Sequence, residues 1–71
     1  MDRYAIFVEN AQNGHVVRNL VGTTNSFGDA VVAKQSINRQ EYGHPLIMDQ
    51  VTARVTYDNT SWFRLNSGTL Q

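Results

Sequence analysis

Asn13-Gly14 constrains this chain more than any other pair of residues. It stands between two runs of strand formers, residues 3–9 and residues 16–22. Asn-Gly supplies the two positive-φ positions of a type I′ turn, so the runs form a tight hairpin. With a two-residue loop, Phe7 faces Leu20, Glu9 faces Arg18 and Ile6 faces Val21. Tyr4, Ile6, Val8, Val17 and Val21 then share one face, which is the apolar one. Ala5, Phe7, Glu9, Val16, Arg18 and Leu20 share the other, where a cross-strand Glu9–Arg18 pair suits water.

A helix is expected next, near residues 26–42. Ser26 is an N-cap, with Asp29 three residues on in the position of a capping box. Phe27, Ala30, Val31, Ala33 and Ile37 recur at helical spacing, with Lys34, Gln35, Asn38 and Arg39 at the flanks or opposite. Gly43 stops the helix and Pro45 prevents its return. Beyond it, residues 46–57 read as a strand in which Val51, Ala53, Val55 and Tyr57 alternate with Thr52, Arg54 and Thr56. Asp49-Gln50 interrupts that pattern as a bulge or a turn. Asp58-Asn59-Thr60 turns the chain into a last strand near 61–65. A three-residue loop there sets Val55 opposite Phe63 and Ala53 opposite Leu65, which gives one apolar face. Residues 66–71 read as a frayed tail.

The fold class expected is α+β: a four-stranded antiparallel sheet, ββαββ, with one helix on one face. At 71 residues it is one small domain. Its core is expected from Ile6, Val8, Val17, Val31, Ile37, Val55 and Phe63. A domain this size buries only about 60% of its unfolded surface, so a homodimer is one way to add burial. There is no cysteine, hence no disulfide staple and no thiolate metal site. The absence of a cleavable leader and of an apolar run of about 20 residues points to the cytoplasm and away from the membrane.

Catalysis finds no support in the residues. The six carboxylates are scattered, and the five glycines form no phosphate loop. Ser26 has no general base beside it. His15 and His44 lack the companions of a zinc site. Neither cofactor nor metal is expected. The open face of the sheet is the binding candidate: Phe7, Arg18, Leu20, Arg54, Trp62 and Arg64. Arg54 and Arg64 face each other there, and a like-charge pair invites an anionic partner. Lys34 and Arg39 form a second candidate strip on the helix.

Three stretches carry a resemblance: SFGDAVVAKQS from Ser26, GHPLIMDQ from Gly43 and TARVTYDNTSWF from Thr52. A helix bearing alanine and lysine precedes a strand ending in Asp, a short turn and a last strand with an aromatic pair. Residues 26–63 in this respect resemble small phage-encoded type I-F anti-CRISPR proteins, and Lys34 matches the helix lysine of that family. The resemblance implies a curved antiparallel sheet with a helix. It also implies a protein that binds the backbone subunits of a surveillance complex and blocks target DNA hybridisation. Two alternatives stand beside this inhibitor of a host nucleoprotein complex. One is a nucleic-acid-binding domain whose platform is Arg18, Arg54, Trp62 and Arg64. The other is a structural protein that dimerises through Phe7, Leu20 and Trp62.

Overall fold

The computed structural model describes residues 2–56 and the backbone of residues 63–64. Trp62, the tail 66–71 and the side chains of Phe63 and Arg64 lie outside the described residues.

The hairpin forms as its turn dictates. Asn13 has φ 54° and Gly14 φ 79°, the positive pair of a type I′ turn. Strand β1 (Tyr4–Gln12) pairs antiparallel with β2 (His15–Thr24). Phe7 faces Leu20 and Glu9 faces Arg18, as expected. Ile6, however, faces Gly22, which leaves Val21 as an extra residue in β2. The result is a bulge at Val21, and beyond it the strand resumes with its faces in phase.

Helix α1 (Phe27–Gln35) begins at Ser26, whose side chain accepts from the Asp29 N–H at 3.3 Å. It ends earlier than the apolar spacing suggested. The Ser36 N–H donates to the carbonyls of Val32 and Ala33, and its hydroxyl donates to the Val32 carbonyl at 2.9 Å. Asn38 then leaves helical geometry and caps a second, short helix, α2 (Arg39–Tyr42). Its Oδ1 accepts from the N–H groups of Gln40 and Glu41 at 3.0 and 3.3 Å. The helix expected over 26–42 is therefore two, and Asn38…Glu41 is the capping-box signal that marks the break. Gly43 ends α2 with φ 112°, and a Cβ there would lie 2.6 Å from the Glu9 carbonyl oxygen. Left-handed φ and close approach both demand glycine.

The expected strand 46–57 is a hairpin. β3 (His44–Asp49) and β4 (Arg54–Thr56) are separated by a turn over 50–53. β5 (Phe63–Arg64) pairs on β4 with Val55 opposite Phe63 and Arg54 opposite Arg64, the expected register. The sheet runs β2-β1-β3-β4-β5, antiparallel throughout, with β1 central to the long strands. The α+β antiparallel fold stands, with β4 short and β5 at two residues.

Packing differs from a one-sided sheet. On the helix face Ile6 and Ile47 are buried against Ala30, with Tyr4, Phe27, Val31, Ala33 and Ile37 around them. Val8 is buried as well. Across the sheet, Ala5, Leu46 and Val55 are buried too. Cross-strand pairs share a face, and Ala5 faces Met48, which faces Val55. Val55 therefore lies opposite the helix, not with Ile6 as expected. Val17, Val31 and Ile37 are only half-buried. Continuous apolar runs, AIFV in β1 and LIM in β3, are the mark of strands buried on both faces. The face away from the helix is open toward β2, not across the whole sheet.

Candidate functional site

Two surfaces hold the residues that sequence reasoning singled out. The first is the outer part of the β1–β2 ribbon. Val16, Leu20 and Val21 are 71%, 59% and 52% exposed, while Phe7 opposite Leu20 is half-buried. Between Val16 and Leu20, Arg18 lies on Glu9: Nη2 and Nε donate to Oε2 at 2.6 and 3.1 Å. Both side chains are largely covered, so this is a fixed ion pair rather than a loose surface contact. β2 is an edge strand of the sheet. Among the described residues, nothing pairs with its outer side.

The second surface is a shallow cavity of ≈ 330 Å³ at the other end of the sheet, on the helix side. Arg3, Tyr4, Phe27, Asp49, Thr52 and Arg54 line it. The Tyr4 and Phe27 rings pack at 5.4 Å, tilted by 59°. The Arg3 guanidinium sits 5.4 Å from the centre of the Tyr4 ring, a cation–π contact. Asp49 organises this corner. Arg3 donates to it through Nε at 3.2 Å to both oxygens and through Nη2 at 2.9 Å to Oδ2. The N–H groups of Val51 and Thr52 donate to its Oδ1 at 3.0 and 3.3 Å. The hydrogen bond from Arg3 holds the Asp49 carboxyl below the usual carboxylate range, against the opposing effect of burial. Asp49 is thus the reason for the turn that the sequence left open between bulge and turn.

This geometry divides the expected Arg and Trp platform. Arg54 faces Asp49, which faces Tyr4, so Arg54 belongs to the helix face. Arg18 faces Glu9, on the opposite side of the sheet. Arg54 and Arg18 therefore cannot share one surface, and the four-residue platform does not assemble. The cause is the turn at 50–53, which sets the phase of β4. Phe7, Arg18 and Leu20 do lie together.

The helix strip does not assemble either. Lys34 is buried, at 4% exposure, while Arg39 is exposed on α2 beyond the break at Asn38. Sequence reasoning missed Arg3, Tyr4 and Asp49 as a cluster. Arg3 and Asp49 are 46 residues apart, and only the β1–β3 pairing brings them together.

Among the described residues, no three His, Asp or Glu side chains gather as metal ligands, and no helix is long and apolar enough to cross a membrane. No family model, no curated protein and no solved structure matches the chain.

Proposed function

We propose that the chain is a non-catalytic protein-interaction module that docks through β2. One observation carries this reading. β2 is a ten-residue edge strand with three exposed aliphatic side chains, Val16, Leu20 and Val21. Edge strands present unpaired N–H and C=O groups that template pairing with another chain. Natural edges are commonly blunted by charged side chains, Pro or bulges; β2 has no Lys or Pro, and its one charge, Arg18, is neutralised by Glu9. Its one irregularity, the bulge at Val21, leaves the stretch from the turn to Leu20 regular. An extended segment of a partner would add there as a further strand, with its side chains against Val16 and Leu20.

The partner class is a host protein or nucleoprotein complex. The resemblance of residues 26–63 to type I-F anti-CRISPR proteins supports one specific form, an inhibitor that occupies the surveillance complex and blocks its target DNA. The direct test mixes the chain with purified type I-F surveillance complex and measures target-DNA binding. The wild type should abolish that binding, and Leu20→Lys should restore it. Wild-type chain that leaves DNA binding untouched would end the inhibitor reading. Direct nucleic-acid binding by this chain would show itself by a steep loss of affinity with salt.

A further inference from the structure

We infer that two copies of this chain join β2 to β2, antiparallel, about a two-fold axis through Arg18, with Val16 of each copy opposite Leu20 of the other. The inference rests on β2 being the docking strand, and it names a second copy as the occupant of that edge in the free protein, which the strand of a host partner would displace.

The hairpin turn decides which residues of β2 can pair outward. In a two-residue turn the flanking residues, here Gln12 and His15, form a hydrogen-bonded pair. Hydrogen-bonded and non-hydrogen-bonded pairs then alternate along the ladder. His15, Val17 and Asn19 turn their N–H and C=O groups to β1, so Val16, Arg18 and Leu20 turn theirs outward. The turn closes this edge at one end and the bulge at Val21 closes it at the other. Three outward positions remain, and they are symmetric about Arg18. A two-fold axis through Arg18 pairs all three. Sliding the strands by two residues in either direction brings Gly14 of the turn, or Gly22 beyond the bulge, opposite a strand residue.

The side chains agree with that register. Alternation places Val16, Arg18 and Leu20 on one face. Val16 and Leu20, 71% and 59% exposed in the single chain, meet each other twice across the axis. The central pair sets Arg18 against Arg18 of the second copy, which alone would repel. Each Arg18 is already bound by its own Glu9, through Nη2 at 2.6 Å and Nε at 3.1 Å. The row across the dimer therefore reads Glu9, Arg18, Arg18, Glu9, and its charges cancel. Pairing would extend the five-stranded sheet of each copy into one continuous ten-stranded sheet, since the long edge of each is β2.

Sedimentation equilibrium and cysteine cross-linking test this together. The wild type should sediment at twice its 8.0 kDa mass at high concentration, and Leu20→Lys at the single mass under the same conditions. The absence of native cysteine makes the cross-linking unambiguous. Facing residues in a hydrogen-bonded pair lie about 5.5 Å apart at Cα, within the reach of a disulfide. Val16→Cys mixed with Leu20→Cys should give a covalent heterodimer on oxidation. Neither should link to itself, because Val16 of the two copies lies four residues, about 13 Å, apart. Arg18→Cys should link to itself. These single substitutions are at positions at least partly exposed, and the Val16 and Leu20 variants keep the Glu9–Arg18 pair. A wild type that sediments as a single chain throughout a dilution series overturns the proposal. So does Val16→Cys linking to itself as readily as to Leu20→Cys. A single-chain wild type that still blocks the surveillance complex would remove the second copy while leaving the docking strand in place. A dimer with no effect on the complex would sink the inhibitor reading alone.

Discussion

The two ends of this sheet hold their strands by opposite means. At the β1–β2 turn, two residues suffice: Asn13 and Gly14 adopt positive φ without help, and their neighbours stay exposed. At the β3–β4 turn the backbone is less willing. Ala53 is forced to φ 57°, where L-residues with a Cβ are strained. There Asp49 compensates, accepting two turn N–H groups and binding Arg3. The Gln50 N–H donates to the Arg3 carbonyl at 2.8 Å, and the Gln50 side chain to the Asp2 carbonyl at 2.8 Å. One end is fixed by local turn chemistry alone. The other adds to its turn the hydrogen bonds that gather distant residues around the buried Asp49.

The largest effect is therefore expected from Asp49→Ala. It leaves the N–H groups of Val51 and Thr52 without their acceptor, at a cost of about 2 kcal/mol, while the exposed Arg3 guanidinium returns to water. A domain of this size has roughly 4–11 kcal/mol to lose, so chemical denaturation should show a clear drop in midpoint. Acid should act through the same group. The folded-state pKa of Asp49 is depressed, so its contribution is complete above the usual carboxylate value of about 3.9 and is lost as pH falls through the folded value. Melting temperature should fall on acidification in the wild type, and this part of the fall should vanish in Asp49→Asn. An Asp49→Ala midpoint equal to wild type would erase the contrast between the two ends.

These contrasts explain what the sequence could show. The hairpin register from the turn to Leu20, the Ser26 cap, the Gly43 stop and the Val55–Phe63 pairing all depend on neighbours in the chain, and all were legible, whereas the bulge at Val21 was not. The break between α1 and α2 was legible too, in Asn38 and Glu41, but the apolar spacing through Ile37 outweighed it. The phase of β4 was not. Val51, Ala53 and Val55 alternate as a strand should, and it is Asp49, accepting from the Val51 and Thr52 N–H groups and held by the distant Arg3, that makes 50–53 a turn. Arg54 changed faces with it, and the expected Arg platform fell apart. Arg18 and Leu20 kept their places because their register comes from Asn13-Gly14 alone.

Gly14→Ala comes next in size. Its φ of 79° lies where a Cβ is unfavourable, although nothing lies within 4 Å of the added atom. The cost is backbone strain alone, about 1 kcal/mol. Ala53→Gly is the mirror experiment at the other end, and relief of the same strain should raise stability by about 0.5–1 kcal/mol. Thermal melts of the two variants should move in opposite directions. Movement in the same direction would mean that the Asp49 turn stores no strain, and that the ends differ less than their hydrogen bonds indicate.

The smallest effect on the folded chain itself belongs to Leu20→Lys. Leu20 is 59% exposed, so its side chain adds little to the interior, and unfolding of dilute protein should change by less than about 0.5 kcal/mol. What it should change is the response to concentration. A chain whose folded form pairs with a second copy gains stability by mass action, so the wild-type melting temperature should climb with protein concentration. In Leu20→Lys it should stay flat, because two lysines would be brought against Val16 of the opposite copies on the edge where natural sheets place lysine to prevent pairing. A variant that melts well below wild type even when dilute would mean that Leu20 belongs to the core. The ribbon would then be a second anchored region rather than a free one.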